Sequence, residues 1–212
     1  MASTLLQSIP PSQVWRGKEH RLNPLGYIPS GFSNIDDKIH GWPLGTLIEM
    51  VPSQVGIGEF SLLLPALARL SQNPRWILLV CPPHIPYAPF FSNMGLDTSK
   101  IIVTHAKNVN DAGWCMEQGL RSNACSAVIG WFPQITEKII RRLQLNLEEK
   151  KVFSVFFTKP TTSYKNNPTP WRVLIRQTGH KTVIEIPKRR GGGPISPISL
   201  SNLMNQKCCG FV

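Results

Sequence analysis

Between Pro52 and Phe60 the chain reads Pro52-Ser53-Gln54-Val55-Gly56-Ile57-Gly58-Glu59-Phe60, a glycine-bearing turn set between an apolar run and an amphipathic one. A phosphate-binding loop has this layout: backbone N–H groups cradle the phosphates, a lysine reaches the terminal phosphates and a hydroxyl holds magnesium. Here the chemistry departs from the layout. Pro52 has no N–H to give, Glu59 stands where the lysine belongs and Phe60 replaces the hydroxyl. A carboxylate within a few ångströms of a triphosphate repels it by several kcal/mol unless heavily screened. The run CSAVIGWF at residues 125–132 offers Gly130 and Trp131 where a magnesium-holding acid would stand. With both groups missing, nucleotide binding in the usual pose is disfavoured, and the expectation is a chain without catalysis, cofactor or metal.

Glu59 itself has two readings: a carboxylate that binds a cation or docks a partner, or an acid placed at a helix start for its dipole. Other reactive types form no pattern. His20, His40, His84, His105 and His180 are dispersed without ligand spacing. Cys81, Cys115, Cys125, Cys208 and Cys209 include no CxxC pair, which argues for reduced thiols. Cys209 stands four residues from the end, but the glycine after it and the lack of an adjoining polybasic run do not fit a prenylation signal.

The elements that must carry the loop alternate regularly. Short apolar strands (TLIEMV, RWILLVCP, KIIVTHA, CSAVIGWF, VFSVFFTK) are separated by amphipathic stretches (EFSLLLPALARLSQ, YAPFFSNMG, DAGWCMEQGLRS, TEKIIRRLQLNLEEK), the signature of an α/β fold with a largely parallel sheet covered on both faces. Phe60, Leu63, Leu64 and Leu67 share one helical face, with Ser61 as the expected cap and Pro65 in the first turn. Ile139, Ile140, Leu143 and Leu147 make a second stripe, with Glu137 at its start and Lys150 and Lys151 at its end complementing the helix dipole. After Pro160, WRVLIRQT and KTVIEIP alternate as a hairpin at the sheet edge. The expected organisation is an extended arm over 1–40 containing a short helix at 32–39, a core over 41–187, and a flexible, basic, glycine-rich tail over 188–212.

The 212 residues carry a formal charge of +11, which favours an anionic partner, nucleic acid or an acidic protein surface. No apolar run approaches the roughly 18 residues of a membrane span, and the basic start of a signal peptide is absent, so the reading is cytoplasmic with no membrane partner. Candidate contacts are Lys188-Arg189-Arg190 beside a glycine run, Arg172 and Arg176 alternating outward on one strand, and Trp171, either a base-stacking platform or a core residue.

The blocks VWRG (14–17), GWPLGTLIEM, GIGEFSLLLPALARLS, WILLVCPPHIPYAP, GLD, AVIGW, RRLQL and KRRGG, in that order over residues 14–193, resemble the ImuA family. The resemblance implies a RecA-like fold and an accessory role in SOS-induced translesion synthesis. It also implies the recombinase and an ImuB-type Y-family polymerase relative as partners, and DNA as a further one. The SulA cell-division inhibitors are a sister group that shares the same degenerate RecA-like core; that alternative implies binding to the tubulin-like division protein. The turn KIHGWP is shorter than the family's glycine-rich form, and the segment after residue 193 has no counterpart in it.

Overall fold

A computed structural model describes residues 24–54, 56–160, 168–179 and 181–201. The VWRG block, His20, Val55, His180, Cys208 and Cys209 lie outside the described residues.

Eight strands form one sheet in the order β10-β9-β8-β3-β7-β6-β4-β5. Its centre is β3 (Leu47–Pro52) and β7 (Phe153–Thr158), in which every residue is buried, as a strand covered on both faces requires. Parallel to them run β6 (Cys125–Phe132), β4 (Trp76–Val80), β5 (Ile101–Thr104) and β8 (Trp171–Thr178). The antiparallel strands β9 (Lys181–Lys188) and β10 (Ile195–Ser201) complete the other edge. The fold is therefore mixed α/β with a mostly parallel sheet.

Alternation within the strands sends side chains to two cores. On one face Ile48, Met50, Ile129 and Val155 pack with α1 (Ser33–Ile39), α2 (Leu64–Ser71) and α3 (Ala88–Asn93). On the other, Leu47, Val128 and Phe156 pack with α4 (Val109–Arg121) and α5 (Glu137–Leu147). The predicted stripe of Ile139, Ile140, Leu143 and Leu147 is buried, and α5 is capped by Thr136, whose hydroxyl accepts from the Ile139 N–H at 3.4 Å. Among the described residues no helix is long and apolar enough to cross a membrane.

Three local expectations are corrected. Residues 24–40 pack rather than extend: β1 (Gly26–Ile28) pairs antiparallel with β2 (Trp42–Leu44), and Phe32, Ile35 and Ile39 enter the core. The short helix expected at 32–39 is present as α1 (Ser33–Ile39), closed by His40 in the left-handed cap position at φ 62°. Ser61 does not cap α2, because a 3-10 turn at Glu59–Leu62 intervenes and Leu63 takes the cap position, leaving Pro65 in the first turn as predicted. Lys150 caps a neighbour instead of its own helix: its Nζ donates to the Leu120 and Arg121 carbonyls at the end of α4, both at 2.9 Å.

The described part of the expected flexible tail is ordered sheet. Ile198 and Leu200 are buried against β9, and β10 forms the outer strand. Pro197 and the register shift between Ile195 and Ile198 break the period of two, which hides this strand from pattern reading. An edge strand tolerates a proline because one side of it needs no N–H donor.

Candidate functional site

The degenerate loop leaves β3 at Pro52, turns through Gly56 (φ 87°) and Gly58 (φ 82°), and enters the 3-10 turn at Glu59. Both glycines use left-handed backbone that other residues rarely adopt. The Gly56 N–H donates to Glu59 Oε1 at 3.3 Å. An amide of the kind that would face a phosphate is thus already engaged by the chain's own carboxylate. Glu59 is buried at 8% exposure, and its other oxygen, Oε2, has no hydrogen-bond partner among the described residues.

An aromatic wall stands beside the carboxylate. Phe60 packs on Trp131 at 5.5 Å and on Phe91 at 5.7 Å, and Trp131 stacks on Phe157 at 5.3 Å with an 18° tilt. Gly130 leaves room for this end of β6: a Cβ there would lie 2.6 Å from the Phe132 ring. Where an acid and magnesium would sit, the structure therefore places apolar rings. A cavity of about 370 Å³ opens at the carboxyl ends of the parallel strands, lined by Pro52, Glu59, Cys81, Asn108, Trp131 and Thr158 among others. This is the end of a parallel sheet at which α/β proteins bind ligands. Cys81 is held at φ 54°, and its sulfur accepts from the Ala106 N–H at 3.2 Å.

The basic candidates do not converge into one patch. Trp171 is 1% exposed and belongs to the core, so its ring cannot stack on a base. Arg172 does not point outward: it is 8% exposed, and its Nε donates to Glu49 Oε2 at 2.8 Å across the β3–β8 pair. Thr158 donates to the other oxygen of Glu49 at 3.1 Å. Arg176, as predicted, is exposed, and pairs with Glu185 at 3.5 Å. Arg189 folds over its own turn, its Nε donating to the Gly193 carbonyl at 2.9 Å, while Arg190 is half-buried and Lys188 exposed. Lys188 lies opposite Arg172 in register. Partial burial lowers its ammonium pKa below the usual lysine value, Arg172 lowers it further, and Glu49 opposes the shift.

The buried Glu49–Arg172 pair was missed by motif reading. Its signal was one carboxylate inside the apolar run TLIEMV, which a buried strand carries only if a partner meets it. A separate surface lies at the outer edge of the sheet. Ile102 and Val103 of β5 are 42% and 39% exposed, and Ile85 and Tyr87, in the segment before α3, are 89% and 69% exposed.

Comparison with known proteins locates the chain. It is 36% identical over 99 residues to a cell division inhibitor SulA of Edwardsiella piscicida, an alignment covering 44% of this chain and 58% of the relative. It is 32% identical over 101 residues to the cell division inhibitor SulA of Yersinia pestis (strain Pestoides F), covering 48% and 60%. The alignments thus span about three fifths of the length of these curated relatives. A solved structure, SulA from Pseudomonas aeruginosa, aligns over 54% of this chain and 98% of its own at 22% identity and a TM-score of 0.46. The two curated matches carry the SulA-like relation and not the narrower ImuA assignment. The family model described as "Cell division inhibitor SulA" matches residues 45–153, just over half of the chain, from the strand before the degenerate loop to the start of β7: this chain belongs to the SulA family.

Proposed function

We propose that the chain is a non-catalytic inhibitor of cell division that acts by binding the tubulin-like division protein. The observation that carries this reading is the exposed apolar edge of Ile85, Tyr87, Ile102 and Val103, which falls wholly within the residues matched by the family model. Ile85 and Val103 line one groove beside the edge strand, and exposed apolar side chains at a sheet edge favour a protein partner. The loop supports a role without nucleotide chemistry, because Glu59 holds the Gly56 amide and Phe60 and Trp131 fill the space of the missing hydroxyl and acid. Expression in a rod-shaped bacterium is expected to give filaments, and the purified chain to suppress polymerisation of the division protein measured by light scattering. Normal cell length together with unaffected polymerisation would overturn the reading.

A second reading rests on β8 and β9, which lie outside the matched residues. They extend a RecA-like core in the manner the ImuA resemblance implies, with the recombinase and a Y-family polymerase relative as partners and DNA as a further one. Co-purification from DNA-damaged cells separates the readings: the division protein supports the first, the recombinase and polymerase relative the second.

A further inference from the structure

We infer that the cavity at the carboxyl ends of the parallel strands is a binding site for a neutral, planar aromatic molecule, held by burial against apolar walls. Pro52, Pro83, Trp131, Phe132, Pro133 and Phe157 converge on it from separate stretches of chain, and Val109 and Ala112 of α4 add to the lining. The proline rings are rigid, and Trp131 is held by its stack on Phe157 and its contact with Phe60, so the wall stands before any ligand arrives. A flat ring system suits such a wall because it loses little conformational freedom on binding. The cavity volume of about 370 Å³ suits a single small molecule.

The polar side chains in the lining are bonded within the chain. The Thr158 hydroxyl donates to Glu49, Asn108 accepts from the Asp111 N–H and donates to the Asp111 carboxylate, and the Cys81 sulfur accepts from the Ala106 N–H. Glu59 Oε1 accepts from the Gly56 amide, and Oε2 has under 1 Å² of accessible surface, so it offers a ligand no contact. Lys107 and Lys159 are exposed, where a lysine needs no ligand to hold its charge.

Ligands of either charge gain less here. An anion meets the Glu59 carboxylate, a cation meets the two lysines, and each gives up hydration to enter an apolar space. A phosphate also lacks an amide cradle, since Pro52 has no N–H and the Gly56 N–H is taken. Among the described residues no group of three His, Cys, Asp or Glu could hold a metal ion. A neutral ring system instead displaces water from walls that offer that water few hydrogen bonds. The cavity shares no lining residue with the groove beside β5, and its ligand is independent of the division-protein reading.

The test uses the full chain and probes that share one ring system: neutral naphthol, anionic naphthoate and cationic naphthylmethylammonium, each titrated at neutral pH by calorimetry. Naphthol is expected to bind once per chain below millimolar concentration, and each charged counterpart about tenfold or more weakly. Val109→Trp, which fills the cavity from the first turn of α4, is expected to weaken naphthol binding about tenfold or more. No saturable naphthol binding, equal or tighter binding of either charged probe, or unchanged binding to Val109→Trp would overturn the proposal. If Val109→Trp fails to unfold cooperatively, tryptophan fluorescence locates the site instead. Naphthol is expected to quench a component that Trp131→Phe removes, and quenching that survives this change would overturn the assignment.

Discussion

Arg172 on β8 and Glu49 on β3 face each other in register, joined by a 2.8 Å hydrogen bond from Nε to Oε2, with both side chains buried in the sheet. Removing one member of such a pair leaves the other charged and buried, whereas removing both restores an apolar interior. Arg172→Met is therefore expected to cost about 3 kcal/mol or more in urea unfolding. The double change Glu49→Leu with Arg172→Met should recover most of that loss. A double variant as unstable as the single one would show that the pair is not coupled.

Lys188 lies beside this pair, and its ammonium is lowered from the ordinary 10.5 mainly by burial and then by Arg172. A lysine whose folded-state pKa is depressed binds fewer protons folded than unfolded. Its destabilising effect is complete below the folded pKa and fades as pH rises toward 10.5. Lys188→Met should raise the Tm at pH 7, and the gain should shrink as the pH approaches 10.5. A gain independent of pH would assign the effect to packing.

Lys150 ties the end of α4 to the chain that follows α5 through two carbonyl contacts at 2.9 Å. Lys150→Met should lower stability by about 1 kcal/mol, since charged donors satisfy helix-end carbonyls. Hydrogen exchange at the end of α4 should rise with it. Lys151→Met serves as the control, as no contact of Lys151 with the α4 carbonyls accompanies it.

Gly41 follows the left-handed His40 at φ 101°, and a Cβ there would stand 2.2 Å from the Ile28 carbonyl oxygen. Both the backbone angle and the approach to β1 forbid a side chain. Gly41→Ala should cost about 3 kcal/mol or more, and thermal unfolding by circular dichroism reads the loss. Gly56→Ala, with nothing within 4 Å of its Cβ position and strain from φ alone, should cost less.

Cys125 is buried, and desolvation pushes its thiol above the ordinary value of 9.0, with weaker opposing effects from Ser122 and Arg75. At pH 8 in the native chain it should react with a thiol reagent more slowly than the half-buried Cys81 and Cys115. Mass spectrometry of peptides after timed labelling ranks the three sites.

The sheet and its two helical layers were legible in the chain because burial of strands and amphipathic helices writes a local period into the residues. The Ile139, Ile140, Leu143 and Leu147 stripe and the β8–β9 hairpin show this directly. The residue types at the loop were legible too: Glu59, Phe60, Gly130 and Trp131 are not the lysine, hydroxyl and acid that a phosphate-binding loop carries. Pairing across sequence was not legible. Arg172 read as an outward cation because its run alternates, and only the parallel docking of β8 on β3 brings Glu49 beneath it, 123 residues away. The strand β10 escaped notice because Pro197 and a register shift erase its period, leaving pairing with β9 to define it. The cavity lined by Pro52, Glu59 and Trp131, likewise, exists only where the ends of separate strands meet. Residue chemistry is written locally, but burial and partnership are properties of neighbours, and in this chain those neighbours are supplied by the sheet.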